Sequence, residues 1–318
     1  GELALRAGLA AALLPPLHVL ASLLPPLIVI AIVTRPLQRA GAGLTQRDLL
    51  WQLSYGALAA TLLAGLLETA SLLFAGAWGV LLIALIPGAQ DRLLRWNEAL
   101  LLQPGAADPQ ALLSLLASPA MVLAIGLILA VLAPAIEEVA KSLGVGLAAS
   151  GRGQLNRGRA FALGVMAGVG FSFVEALFYG VALLPDGWIS AVAMRASTAA
   201  MHGLATGLMG LAWYMLLVSR RPWQFAGYAL AAIGLHGAWN ALSGLVALAS
   251  RAQGQSGVAV LRPVEALLPT MAGSLLVLLF FLAATALVPL PYLLGGELRT
   301  AYIAASSAEH LQDSPVSA

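Results

Sequence analysis

The chain has 318 residues, of which 60% are hydrophobic and 9% are charged, and its formal net charge is +2. Soluble domains carry roughly 25% charged residues, so this composition excludes a water-soluble globular fold and indicates a polytopic membrane protein. The chain has no cysteine, which excludes disulfides and thiol chemistry. Its arginines are scattered through short loops, which argues against nucleic acid as a partner.

Apolar segments long enough to cross a bilayer follow one another along the chain, since a spanning helix needs about 20 residues. We predict an all-α transmembrane bundle of seven or eight spans. The apolar segments lie at 17–33, 49–87, 117–149, 160–184, 197–218, 225–249 and 266–288. The second segment, with Glu68 as its only charge, is either one long span followed by an interfacial helix or a hairpin of two spans that turns at Glu68.

Arginine-rich loops mark the cytoplasmic side of a membrane protein. The loop at 150–159 and the loop at Arg220-Arg221 are separated by two spans, so both fall on one side. Residues 34–48 belong on that side as well, which favours a single span in the second segment. We divide the chain into N-terminal membrane helices and loops at 1–116, a four-helix core at 117–249, a last span within 250–295, and a polar, disordered tail at 296–318.

Polar side chains recur in four consecutive spans of the predicted core. They are Glu137, Glu138, Lys141, Glu175, His202, His236 and Asn240. An ionised group at bilayer depth costs at least ~2.5–3.5 kcal/mol, so such residues are rare and usually functional. Counted from the cytoplasmic loops at 1.5 Å per residue, the four sites lie roughly 20–25 Å deep. We therefore expect them in one layer, past the midplane and nearer the extracytoplasmic face.

The spacing of these residues brings acids, a base and amide groups together. Lys141 follows Glu137 by four residues and Glu138 by three, so it can contact either carboxylate and limit their repulsion. A carboxylate can act as general base on water, His and Glu can bind a metal, and Asn can donate to an oxyanion. The set is therefore hydrolytic in character. The structural alternatives are a buried ion-pair cluster and hydrogen bonds between helices.

Three further polar residues receive structural interpretations. His18 lies beside a proline pair near the start of its span and is interpreted as an interfacial residue. Glu68 is interpreted as a turn or interface residue. Arg195 lies near the extracytoplasmic end of its span, where we expect its guanidinium to snorkel to the membrane surface.

Two small-xxx-small patterns predict close packing between helices of the core. They are Gly164-x-x-x-Gly168 and Gly203-x-x-x-Gly207. The chain contains no HExxH, GxSxG or P-loop motif, so it lacks the signatures of zincins, serine hydrolases and P-loop nucleotidases.

The four polar sites, taken in order, resemble the PrsW family of intramembrane proteases. That family is more distantly similar to the type II CAAX prenyl endopeptidases and the abortive-infection membrane proteases. The family pattern is EExxK, FxxxE, an isolated His, and a His followed four residues later by a polar residue. The matching residues are Glu137-Glu138-x-x-Lys141, Phe171-x-x-x-Glu175, His202 and His236-x-x-x-Asn240. Asn240 stands where the family often has Asp.

The resemblance implies an intramembrane endopeptidase of the bacterial cytoplasmic membrane. Its partners would be the lipid bilayer and a membrane-tethered protein substrate, such as an anti-sigma factor, cut near the extracytoplasmic face. A proton- or metal-ion-coupled transporter and a non-catalytic scaffold are the alternatives from other classes. The oligomeric state is left open by the sequence.

The resemblance also suggests a role for each residue. Glu137 would be the general base, with Glu138 assisting it and Lys141 keeping one of the pair ionised. Asn240 would stabilise the oxyanion. The candidate zinc ligands are His202, His236 and Glu175. In a site without metal, the same three residues would hold the hydrolytic water. Because Asn240 is no carboxylate ligand, metal-free catalysis remains the alternative.

Overall fold

The computed structural model describes residues 2–84, 119–150, 155–182, 188–252 and 262–312, and these residues contain helices and no strand. The α-helices are α1 (Glu2–Arg39), α2 (Gln46–Ser54), α3 (Thr61–Ala84), α4 (Pro119–Leu127), α5 (Ala133–Ser150), α6 (Arg157–Ala182), α7 (Trp188–Leu217), α8 (Pro222–Ala252), α9 (Arg262–Leu287) and α10 (Pro289–Gln312). Two π-helical turns, Tyr55–Ala60 and Ile128–Leu132, join α2 to α3 and α4 to α5. The all-α prediction is confirmed.

Seven helices in the described part of the chain are long and apolar enough to cross a membrane. They cover Ala12–Arg39, Gln46–Trp78, Leu123–Ala149, Arg157–Tyr179, Met194–Leu217, Pro222–Ala247 and Pro269–Ala301. Each contains the main part of one predicted apolar segment. The fold is therefore a polytopic helical bundle.

The second apolar segment is one helix and not a hairpin. The chain is helical without interruption from Gln46 to Ala84, and this stretch contains no proline to break it. The prediction of a turn at Glu68 is wrong, because Glu68 lies in the middle of α3. An interfacial helix at its far end would fall beyond Ala84, outside the described residues.

Helices α6 and α7 form the centre of the bundle. In each, 72% of the spanning stretch is buried, against 11–33% in the other five spans. Glycines bring the two helices together, since a Cβ at Gly168 would collide with the carbonyl oxygen of His202 and one at Gly164 with that of Thr206. On α7, Gly207 lies against the Phe161 ring. The predicted close packing is confirmed, and it places the motif helices side by side.

The arginine-rich loops lie at one end of the bundle, as their spacing predicts. Arg159, at the start of α6, pairs with Asp48 at the start of α2, with 3.1 Å between Nη2 and Oδ2. Arg157 and Arg221 line one cavity at this end. His202 and His236 lie near the middle of α7 and α8.

The tail differs from its prediction. The chain is helical through Gln312, so the expectation of disorder across 296–318 is wrong for residues 296–312. An ion pair helps to fix this helix, because Arg157 Nη1 lies 2.9 Å from Glu297 Oε2. Residues 313–318 lie outside the described part of the chain. The other proposed domain boundaries stay predictions.

Candidate active site

Lys141 lies at the centre of the polar layer and is fully buried. Its ammonium group is 2.6 Å from Glu138 Oε1, 3.2 Å from Glu137 Oε2 and 3.0 Å from His202 Nδ1. An ammonium group has three hydrogens to donate, and these three acceptors use them all. The ring of Phe171 covers the same group, with Nζ 4.4 Å from the ring centroid. Two of the four motifs therefore meet at one ammonium, and His202 brings in a third.

The two adjacent glutamates lie in different environments. The Glu138 carboxylate is fully enclosed: Oε1 accepts from Lys141 and from His236 Nδ1 at 2.8 Å, and Oε2 accepts from Thr206 Oγ1 at 2.8 Å. The Glu137 side chain is 11% exposed and lines a cavity. Of this pair, only Glu137 is placed to meet a substrate or a water molecule.

His202 connects Lys141 to an outer ion pair. Because the ammonium donates to Nδ1, the proton of this imidazole is on Nε2, which donates to Glu175 Oε2 at 2.8 Å. The other oxygen of Glu175 lies 2.9 Å from Arg195 Nη1. Glu175 therefore pairs with Arg195 and His202.

Arg195 does not snorkel to the membrane surface. Its side chain is only 15% exposed, and its guanidinium stacks on the Tyr179 ring at 4.0 Å from the centroid. The sequence-based interpretation is wrong here because a carboxylate on the neighbouring helix, Glu175, holds the guanidinium inside the bundle. Arg195 and Tyr179 both line the cavity beside Glu137.

His236 faces both glutamates of the first motif. Its Nδ1–H donates to Glu138, so Nε2 carries a lone pair, and Nε2 lies 3.6 Å from Glu137 Oε2. Two electron-pair donors that face each other favour a cation between them. Ligand atoms around one zinc ion stand about 3.3–3.5 Å apart, because each lies about 2.1 Å from the metal. This pair, at 3.6 Å, is only slightly wider than that spacing.

The residues Glu137, His202 and His236 form a buried group that can hold a metal ion, and their ligand atoms lie within 4.8 Å of one another. The hydrogen bond from His236 to Glu138 is the kind of carboxylate contact that orients metal-binding histidines. The sequence-based ligand set named Glu175 in place of Glu137. That role for Glu175 stays a prediction, since its oxygens contact His202 and Arg195.

The formal charges of the site also fit a divalent cation. Four carboxylates surround the layer, with Glu68 added to the three of the motifs, and Lys141 and Arg195 are the two cations among the described residues there. With Glu137, Glu138 and Glu175 ionised, Lys141 and Arg195 leave an excess of one negative charge, and ionised Glu68 would add a second. This excess favours a bound cation.

A cavity of about 410 Å³ opens beside Glu137. Seven of its lining residues are polar, namely Glu68, Glu137, Glu175, Tyr179, Arg195, Asn240 and Ser243. Asn240 is thus on the same cavity as the two motif glutamates, as its spacing from His236 predicts. The five helices that contribute polar residues to it are α3, α5, α6, α7 and α8.

Sequence reasoning missed Glu68 as a site residue. Its carboxyl group interacts directly with that of Glu137, and the side chain lines the cavity, so its assignment to a turn or interface is wrong. The available signal was its status as the only charge in a 39-residue apolar segment. Ser243 was missed as well, and no signal distinguished it from other serines.

His18 has the structural role that was expected. Trp188 Nε1 donates to its Nδ1 at 3.1 Å, and its Nε2 donates to the carbonyl oxygen of Leu177 at 3.0 Å. Both ring nitrogens are therefore used in tying α1 to α6 and α7. His18 does not line the cavity.

Comparison with known families agrees with this geometry. The family model described as "PrsW family intramembrane metalloprotease" matches residues 45–268, more than two thirds of the 318-residue chain. The match includes every cavity residue named above and excludes α1. No curated protein and no solved structure matches the chain.

Proposed function

The chain belongs to the PrsW family of intramembrane metalloproteases, and from this premise we propose that it hydrolyses a peptide bond within the membrane segment of a tethered protein. The bond would lie near the extracytoplasmic face, because the cavity beside Glu137 is in the half of the bundle away from the arginine-rich loops. Family membership favours a protease over a transporter or scaffold. Anti-sigma-factor-like regulators as substrates and the bacterial cytoplasmic membrane as location remain part of the proposal.

The observation that carries the mechanism is the difference between the two adjacent glutamates. Glu138 is enclosed by three donors, whereas Glu137 reaches the cavity. We assign Glu137 as the group that accepts a proton from the attacking water. The contacts of Glu137 with Lys141 and His236 both use Oε2.

A divalent metal, with zinc as our candidate, would be held by Glu137, His202 and His236. His202 would bind it through Nδ1, in place of the hydrogen bond that this nitrogen accepts from Lys141. When bound, such an ion acts as a Lewis acid and makes water acidic near neutral pH. Glu138 fixes the His236 tautomer through the Nδ1 hydrogen bond, so Nε2 keeps its lone pair toward Glu137. Lys141 holds both carboxylates in place through its contacts with Glu137 Oε2 and Glu138 Oε1.

The remaining cavity residues orient the His202 imidazole and stabilise the oxyanion. Glu175, held by Arg195, accepts from His202 Nε2 and so orients that imidazole. Asn240 lies on the cavity side of α8, where its amide can donate to the oxyanion that forms on the scissile carbonyl. The aliphatic lining around them limits access of bulk water.

The test compares membrane-protein N-termini in cells that express the wild type or Glu137→Gln, by terminal-specific mass spectrometry. We expect new termini in single-pass proteins, near the extracytoplasmic face, with the wild type alone. Loss of a general base lowers the rate by about 10²–10⁴-fold, so the variant should yield none of them.

Glu297→Gln is the matched control, because it removes one carboxylate at the cytoplasmic end, outside the cavity. It should give the wild-type set of termini. Identical profiles for the wild type and Glu137→Gln, with both proteins folded and equally abundant, would refute the assignment.

A further inference from the structure

One face of α8, on the C-terminal side of His236, lines the cavity. Asn240, Ser243, Gly244 and Ala247 all line it, and their spacing of three, four and seven residues places them on one side of the helix. Two of the four are small, and a Cβ at Gly244 would meet only Leu129 Cδ1, at 3.8 Å. This face therefore leaves open space next to the catalytic groups.

Two buried polar atoms on this cavity have no hydrogen-bond partner within the described structure. They are Glu68 Oε1 on α3 and Ser243 Oγ on α8. Buried polar atoms in proteins are almost always paired, so each such exception asks for a missing partner. One atom is a carboxylate oxygen that accepts, and the other is a hydroxyl that can donate.

A substrate of this site supplies the complementary groups. A peptide bond inside an α-helix has its N–H and C=O groups in the helix ladder, so the segment must unwind before hydrolysis. Unwinding exposes backbone N–H and C=O groups, and the bilayer core holds no water to satisfy them. The protein must therefore provide an acceptor for N–H and a donor for C=O beside the scissile bond.

Resting on the proposed peptidase function, we infer that Glu68 and Ser243 form a subsite for the unwound substrate backbone. Glu68 Oε1 accepts a substrate N–H, and Ser243 Oγ donates to a substrate carbonyl. Gly244 and Ala247 leave the room that the extended backbone occupies. Glu68 is thus a binding residue contributed by α3, outside the four motifs.

The experiment measures binding of a fluorescein-labelled synthetic peptide to full-length Glu137→Gln protein in detergent micelles. The peptide has lysine pairs at both ends, two leucine runs and a central Gly-Ala-Gly-Ala segment that unwinds readily. Glu68→Leu removes the acceptor and Glu68→Gln keeps one; Ser243→Ala removes the hydroxyl and Ser243→Thr keeps it. Thr69→Val and Ser274→Ala are the controls, since those hydroxyls already donate within their own helices.

We expect Glu68→Leu and Ser243→Ala each to weaken binding about five- to tenfold, the usual loss for one hydrogen bond. The two conservative variants and both controls should stay within twofold of the parent. Metal content, measured for the same substitutions in the protein that retains Glu137, should be equal in all of them. A fall in metal content with Glu68→Leu, or a loss with Glu68→Gln as large as with Glu68→Leu, would show that Glu68 acts through its charge or as a ligand, and would overturn the inference.

A second measurement does not depend on the folding of a variant. Peptides that carry one N-methylated amide in the central segment lose one N–H each. One position should weaken binding to the parent and have no further effect on Glu68→Leu, because both changes remove the same hydrogen bond. Uniform effects at all positions, or no binding of the parent peptide, would count against the subsite. Terminal profiling tests the peptidase function separately, so cleavage that persists unchanged in Glu68→Leu and Ser243→Ala would refute the subsite alone.

Discussion

Replacement of Lys141 by methionine should strongly destabilise the bundle. The ammonium is fully buried and contacts two carboxylates and one imidazole at 2.6–3.2 Å. Methionine is similar in length and fills the space, so the change removes the charge and its hydrogen bonds. Removing one partner of a buried ion pair costs about 3–5 kcal/mol, because the other charge is left without compensation.

The assay is unfolding in detergent micelles titrated with a denaturing detergent and followed by tryptophan fluorescence. Arg35→Met is the matched control, since that cation is exposed at the cytoplasmic end of α1, and it should change the free energy of unfolding by less than about 0.5 kcal/mol.

A second substitution tests the cause of the loss. Glu138→Gln in the Lys141→Met background should restore about 1–3 kcal/mol, because a neutral amide can still accept from Thr206. A Lys141→Met protein that unfolds within 1 kcal/mol of the wild type would refute the reasoning. So would a loss of stability that Glu138→Gln leaves unchanged.

Three other predictions concern packing, orientation and metal. Arg195→Met should lower the cleavage rate of an identified substrate about 10–100-fold with little change in stability, because Glu175 loses the partner that holds it against His202; an unchanged rate would show that the ion pair does not position the site. Gly168→Val should destabilise the bundle by about 1–3 kcal/mol or more, since its Cβ collides with a backbone carbonyl of α7. Gly76→Ala, where nothing lies within 4 Å, should unfold like the wild type. Metal analysis of purified protein should find about one divalent ion per chain. Both the ion and the cleavage activity should be lost in His236→Ala and after treatment with a chelator; full activity without metal would establish the metal-free alternative.

The depth of the polar residues in the bundle could be predicted from the sequence, but their partners could not. Four short motifs could be aligned from loop positions alone, because helices of fixed rise between loops on one side bring equal counts to equal depth. Lys141, His202 and His236 do lie within one contact network. What counting could not provide was the partner of each group. Glu175 was expected as a metal ligand, and the cation that it contacts is Arg195, because the choice of partner depends on the rotation of α6 and α7 about their axes.

The position of Glu68 could not be predicted from the sequence either. By hydropathy, the segment that contains Glu68 fits either one span or two. In the structure this segment is helical without a break, so the Glu68 carboxylate lies in the middle of α3, beside Glu137. The sequence shows the charge of Glu68 but not its depth in the membrane, since no cytoplasmic loop is close enough in the sequence to count from.

Composition and patterning by themselves determined that this is an α-helical membrane protein with a buried set of ionisable side chains, because an apolar environment tolerates ionised groups only where they pair or react. The tertiary structure alone decided the different surroundings of Glu137 and Glu138. The two residues are adjacent and chemically identical in the sequence. Only the packing of α7 and α8, which brings Thr206 and His236 onto one carboxylate and leaves the other facing the cavity, makes them different.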